Sequence, residues 1–248
     1  IYGTLTLQSN GSYTYAADQS VADRLSKTSS AQDVFTYTIQ DSQQTPDQAA
    51  LVFTISGIND IPVAINDNAS LNQQATVTKT VSEGLIANDS DLDLDTLTIT
   101  AIRTGTETGS GSEGTVSTAL TGTYGTLTLQ SDGSYTYVAD QAAATALSLN
   151  VDGVDHFTYT ISDGTVVDQG KLSLTVTGLN DAPTVTSPIV DQAGLTEVGI
   201  SVNTANAFTD IDGDTLSYSA TLNGSALPSW LAIDTATGIL SSTPQVNH

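Results

Sequence analysis

Four aspartates stand two residues apart in Asn88-Asp-Ser-Asp-Leu-Asp-Leu-Asp-Thr-Leu-Thr-Ile-Thr100: Asp89, Asp91, Asp93 and Asp95. In an extended strand this spacing would line one face with carboxylates, and like charges side by side in a sheet repel. A cation is needed to hold such a set together. Clustered oxygens without sulfur or imidazole suit a hard divalent ion, and calcium takes six to eight of them. A second copy of the pattern, Thr209-Asp-Ile-Asp-Gly-Asp214, offers Asp210, Asp212 and Asp214. Upstream of each acidic run lies the same tetrad type, Asn59-Asp-Ile-Pro62 and Asn180-Asp-Ala-Pro183. Asn and Asp bond their own backbone and Pro fixes φ, so the tetrad alone is a stiff linker between domains. Followed twice by an acidic loop, it is better explained as a calcium linker than as a plain one. A solvated acidic loop is the competing explanation, and it weakens when the same context recurs.

Other chemistries lack the residues they need. A Ser-His-Asp triad requires a poised histidine, and the sequence holds only His156 and the terminal His248. Zinc catalysis wants His or Cys ligands, and there is no cysteine. A glycosidase needs only two carboxylates, but these acids cluster on loops beside linkers rather than in an aromatic-lined cleft. The chain is therefore expected not to be an enzyme. Its five basic residues against 27 acidic ones, a net charge of −22, argue against nucleic acid and anionic membrane surfaces as partners. No apolar run approaches the roughly 20 residues of a spanning helix, so no membrane insertion is expected in this segment.

The elements that must position the acids are β-strands. Each acidic run leads into β-type alternation, Leu97-Thr-Ile-Thr100 and Thr215-Leu-Ser-Tyr-Ser219. An internal repeat fixes the larger frame. Tyr2-Gly-Thr-Leu-Thr-Leu-Gln-Ser-Asn-Gly-Ser-Tyr-Thr-Tyr15 recurs at residues 124–137 with thirteen of fourteen residues identical. The one change, Asn10 to Asp132, precedes a Gly, where either residue suits a tight hairpin turn. Phe35-Thr-Tyr-Thr-Ile39 recurs as Phe157–Ile161, and Gly57-Ile-Asn-Asp60 as Gly178-Leu-Asn-Asp181. An offset near 122 residues is a whole domain rather than a solenoid unit.

The expected organisation has three parts. Residues 1–58 carry the second half of the unit, 59–179 one complete unit, and 180–248 the first part of a different β-domain. This register implies that the parent chain continues upstream by about half a unit, and closing strands are expected beyond Val246. Within the complete unit, strands are expected near Ala75–Val81, Leu97–Ile102, Phe157–Ile161 and Leu172–Val176. A flexible Gly/Ser stretch is expected over 104–114 and a short helical turn within Asp140–Leu149. One tyrosine of each pair, 13/15 and 135/137, is expected in the core and its partner outside, and Trp230 in the core. His156 is expected to be a surface or satisfied strand residue.

Two resemblances add to this. The repeated unit resembles the VCBS repeat, found in tandem in large bacterial RTX-type surface adhesins. The match rests on Ala87–Thr98, Tyr124–Leu129, Asp132–Tyr137, Asp155–Gly164 and Gly178–Pro183. It departs at Leu71-Asn-Gln-Gln74, where the family often carries an acidic pair, and at Leu94, where it commonly has Gly. Residues 180–248 resemble the cadherin-like immunoglobulin modules of bacterial surface proteins, through Glu197-Val-Gly199, Phe208–Tyr218, Pro228–Leu231 and Ile233–Gly238.

The resemblance implies an all-β chain of tandem immunoglobulin-like or cadherin-like β-sandwich domains joined end to end, with Ca2+ at the junctions. Carried over, the first junction would use Asn59, Asp60, Asp89, Asp91, Asp93 and Asp95. The second would use Asn180, Asp181, Glu197, Asp210, Asp212 and Asp214. Asp41 and Asp163, late in each repeat, would reach the junction that follows. The implied function is a calcium-stiffened extender in an extracellular bacterial adhesin involved in cell adhesion or biofilm formation, with calcium and neighbouring repeats as partners. The alternative is a carbohydrate-binding or homophilic recognition module with glycan or self contacts.

Overall fold

The structure is a computed structural model, and it describes residues 1–193 and 198–243. It is nearly all β. The first 58 residues form two hairpins, β1 (Thr4–Leu7) with β2 (Tyr13–Ala16) and β3 (Ser30–Gln40) with β4 (Pro46–Ser56). Residues 59–179 form a sandwich. One sheet has the order β6-β11-β10-β9, built from Thr76–Lys79, Tyr135–Val138, Thr126–Leu129 and Ala119–Thr121. The facing sheet has the order β5-β13-β12-β7-β8, built from Asp67–Asn72, Val167–Thr177, Asp152–Ser162, Thr98–Thr104 and Glu113–Gly114. All pairings are antiparallel except β5, which runs parallel to β13. The third part has short strands: β14 (Thr184–Val185) on β16 (Phe208–Thr209), and β15 (Ser201–Asn203), β18 (Ile239–Ser242) and β17 (Leu231–Ile233) in one sheet. Among the described residues no helix is long and apolar enough to cross a membrane.

Period-two patterning explains the core. Leu172, Leu174 and Val176 on β13 and Phe157, Tyr159 and Ile161 on β12 are almost wholly buried, and they face Leu127, Leu129, Tyr135 and Tyr137 of the other sheet. Tyr135 and Tyr137 are both in the core, contrary to the expected split. Residues two apart on a strand point to the same side, so a pair spaced this way shares its fate. In the first hairpin pair the same positions are open: Leu7 is 47% and Ile39 61% exposed, against 1% for Leu129 and 0% for Ile161. Residues 1–58 contain no counterpart of β5–β9 to cover them. Their aromatics pack on one another instead, with Tyr15 stacked on Phe53 at 4.1 Å.

One polar device recurs in both copies. Asp155, 4% exposed, accepts the N–H groups of Thr123, Tyr124 and Gly125 and the Tyr137 hydroxyl at 2.7–3.1 Å. Asp33, 122 residues earlier, takes Tyr2 N–H, Gly3 N–H and the Tyr15 hydroxyl. Burial opposes ionisation of Asp33, but these donors outweigh it and hold its carboxyl below the usual range. The device anchors the hairpin β10–β11 to strand β12.

Local expectations met the structure unevenly. The helical turn is present as α1 (Ala142–Thr145). The Gly/Ser stretch is not a free linker: β8 pairs with β7, and the Arg103 guanidinium donates to Thr106 O and Glu107 O at 2.8 Å. Trp230 is 43% exposed, because it stands in the turn closed by Leu231 N–H to Pro228 O, before strand β17 begins. His156 is satisfied through Nδ1 by the Ser173 hydroxyl at 3.1 Å.

Candidate metal centre: two acidic junctions

At the first junction, the linker and the acidic loop are clamped together by backbone. Val63 and Ser90 exchange both hydrogen bonds, at 2.7 and 3.1 Å, and Pro62 beside them is fully buried. Asp60 N–H then donates to Asp93 Oδ2 at 2.7 Å. The acidic run is not a strand. Asp91 Oδ1 accepts Asp95 N–H at 3.2 Å, and Leu94 takes φ 64° to close the turn. That turn gathers Asp91, Asp93 and Asp95, whose carboxylate oxygens lie within 4.8 Å of one another. Sequence spacing would have left them in a row; the turn makes them a cluster.

The preceding linker completes the wall. Asn59 Nδ2 donates to Asp60 O at 2.6 Å and to Asp163 Oδ2 at 2.7 Å. Asp163 sits in the β12–β13 turn, so it serves the junction at the front of its own domain. This corrects the expectation that it would reach the following one. Strand β12 starts near the second junction and runs toward the first, so its turn with β13 lies beside the entering linker, which spacing alone does not reveal. Burial works against the Asp163 charge, but Asn59 and the N–H groups of Val166 and Thr165 outweigh it and lower its pKa. Asp60 goes the other way: burial first, then Asp93, Asp23 and Asp91, push it up. Asp23 comes from residues 1–58 and was not among the expected ligands.

Four oxygens of this group are buried with no hydrogen-bond partner: Asn59 Oδ1, Asp60 Oδ2, Asp91 Oδ2 and Asp93 Oδ1. Asp91 is only 8% exposed. Among the described residues the one ion pair lies elsewhere, between the N-terminal amine and Asp33 at 3.8 Å. Buried, unpartnered and mutually repelling carboxylates cost free energy unless something cationic satisfies them. The donor set is all oxygen, which fits Ca2+.

Asp89 is not part of this cluster. Its Oδ1 accepts Ile65 N–H at 2.7 Å, and it shares the Tyr159 hydroxyl with Asp67, at 3.5 and 3.0 Å. Burial pushes Asp89 up to about 6; Ile65 N–H opposes this, and the charges of Asp67 and Asp168 add to it. It follows a 3-10 turn (Leu85–Asn88) in extended backbone, and its bonds to Ile65 and Tyr159 hold it apart from the three acids that follow.

The second junction repeats the geometry. Asp181 N–H donates to Asp212 Oδ2 at 2.6 Å, Asp214 N–H to Asp210 Oδ1 at 3.2 Å, and Gly213 takes φ 75° where Leu94 stands in the first. Asp210, Asp212 and Asp214 again converge within 4.8 Å. Asn180 bonds Asp181 O at 3.0 Å, and its side chain is exposed. Glu197, the remaining expected ligand, lies outside the described residues. Gln73 joins instead: 4% exposed, it donates Nε2 to Asp181 Oδ2 at 3.2 Å. Gln73 and Asp23 could have been found in the sequence only by knowing which loops share an end of the sandwich.

Fold and site together define tandem cadherin-like and immunoglobulin-like β-domains with acidic junctions. The comparisons agree. Residues 59–178 match the family model described as "Bacterial cadherin-like domain", and residues 182–248 match the one described as "Putative Ig domain". Calcium-binding lectin RapA2 of Rhizobium johnstonii is 29% identical over 181 residues, 71% of this chain and 72% of the lectin. Solved structures it resembles include mouse clustered PcdhgC3 EC1-3, at 13% identity and a TM-score of 0.43 over 98% of this chain and 75% of that one. Another is the endo-fucoidan hydrolase MfFcnA4, at 18% identity and a TM-score of 0.30 over 98% of this chain. The chain spans 33% of that hydrolase's length.

Proposed function

We propose that the segment is a calcium-stiffened extender of a large bacterial surface adhesin, working outside the cell in adhesion or biofilm formation, in line with its resemblance to the tandem VCBS-type repeats of RTX adhesins. The observation that carries this is the set of four buried, unpartnered oxygens at the first junction. Asn59 and Asp60 come from the linker and Asp91 and Asp93 from the loop beyond it, and the charge of Asp23, from the domain before, adds to that at Asp60. Bound calcium neutralises these groups and ties linker to loop. The loop and linker supply oxygen ligands, the Val63–Ser90 clamp fixes their spacing, and Asn59 carries the contact to Asp163. Without the ion the carboxylates repel and the linker gains freedom.

Extracellular modules of this kind bind at about 10⁻⁴–10⁻³ M, so the joint would be set by millimolar external calcium and stay loose in a low-calcium cytosol. The role is structural rather than enzymatic. Its test is small-angle scattering in EGTA and in about 2 mM calcium. A longer, stiffer particle with calcium is expected; identical profiles would refute the reading. The kinship to a protein named a calcium-binding lectin favours one second reading, glycan recognition. A glycan array probed at the same two calcium levels separates the two.

A further inference from the structure

The two junctions are built alike but satisfied differently, and matching hydrogen bonds pair their residues. Asp93 and Asp212 are equivalent: each accepts the linker N–H of Asp60 or Asp181 through Oδ2. Their other oxygens differ. Asp93 Oδ1 is buried with no partner, whereas Asp212 Oδ1 accepts the backbone N–H of Leu149 from the preceding domain. Beside it the Ser148 hydroxyl donates to Ile211 O at 3.0 Å. Asp181 Oδ2 also receives the Gln73 amide.

The preceding domain also contributes different side chains to each junction. Asp23 aligns with Thr145, and Lys27, which donates to Thr165 Oγ1 at the first junction, aligns with Leu149, 122 residues on, so the second junction has neither that acid nor that base. Thr145 lies with Asp181 and Ile211 around one cavity at the second junction. The second junction therefore has a backbone N–H donor on Asp212 where Asp93 of the first has a bare oxygen. Among the described residues its one unpartnered buried oxygen is Gln73 Oε1.

Resting on the calcium reading above, we propose that the junctions are graded: the first is the tight calcium site and a calcium-dependent hinge, while the second is locked by Leu149, Ser148 and Gln73 and binds calcium weakly. N–H donors aimed at Asp212 and Asp181 do there what a cation does at the first junction. A hard cation gains less where the carboxylates are already satisfied by N–H donors, because it then relieves fewer unsatisfied oxygens.

Calorimetric titration of the whole chain with calcium tests this. Two classes of site differing by about tenfold or more are expected. Asp91→Asn should remove the tighter class and Asp210→Asn the weaker. The double variant Gln73→Glu with Thr145→Asp should tighten the weaker class by about tenfold and leave the other unchanged. A single affinity for both sites, loss of the tighter class in Asp210→Asn, or no response to the double variant would overturn the grading. Spin-label distances provide a second measurement, since the chain has no cysteine and single pairs can be introduced cleanly. In EGTA, labels at Thr54 and Thr100 across the first junction should show a broad distribution. Labels at Thr100 and Ser201 across the second should show a narrow one. Equal breadth would overturn the lock while leaving calcium binding intact, whereas no calcium binding at either junction would sink the extender reading itself.

Discussion

Replacing Asp91 with Asn should stabilise the chain without calcium and destabilise it with calcium. Asp91 is 8% exposed, its Oδ2 has no partner, and two further carboxylates lie within 4.8 Å. In EGTA, Asn removes that charge and keeps the Oδ1 that accepts Asp95 N–H. An unsatisfied buried group costs about 1–3 kcal/mol, so relief of about 1 kcal/mol is a conservative figure. With calcium the balance reverses. A site of about 10⁻⁴ M affinity in about 2 mM calcium contributes RT ln(1 + [L]/Kd), about 1.8 kcal/mol, and the variant forfeits most of it. It should therefore be about 1 kcal/mol more stable than the parent in EGTA and about 1 kcal/mol less stable in calcium. For a unit of this size each is about 3–5 °C in Tm. The assay is a pair of thermal melts, with urea titrations under the same two conditions. A variant less stable than the parent in both, by the same amount, would show that Asp91 is a structural carboxylate and that the cluster does not await a cation.

Other outcomes follow from the same geometry. Asp89 has its pKa raised by burial to about 6, against about 4 in the unfolded chain, so the folded state binds the proton more tightly. In EGTA, stability should fall as pH rises from about 4 to 6, by about 1 kcal/mol after solvent screening, and Asp89→Asn should flatten that slope in urea titrations. Leu94 is 85% exposed at φ 64°, where a side chain costs about 1 kcal/mol; Leu94→Gly should be neutral to about 0.5 kcal/mol stabilising by chemical denaturation, and a loss would mean that the side chain does unseen work. Tyr137→Phe leaves the core filled but takes one donor from Asp155, so a loss of about 1–2 kcal/mol is expected in the same assay. If it melts like the parent, the recurring carboxylate anchor is not energetic.

Much of this protein was determined by the sequence alone. Strand alternation gave the all-β class, since period two needs no tertiary information. The repeat gave the domain frame, and two acidic runs beside Asn-Asp-x-Pro linkers marked the junctions. What the sequence could not decide is which acids meet. Asp89, Asp91, Asp93 and Asp95 look equivalent in a row, and only the left-handed turn at Leu94 and the bond of Asp89 to Ile65 N–H separate three ligands from one buried neighbour of Tyr159. Asp163 and Gln73 reach their junctions through strands that return to one end of a sandwich or the other, a matter of topology and not of spacing. The two acidic loops look alike in sequence, Asp91-x-Asp-x-Asp95 and Asp210-x-Asp-x-Asp214. Only the packed structure shows that the oxygen left bare on Asp93 is already held, on Asp212, by the backbone of Leu149. A backbone donor carries no sequence signature, because every residue but proline has one; its aim is set by how the domains dock.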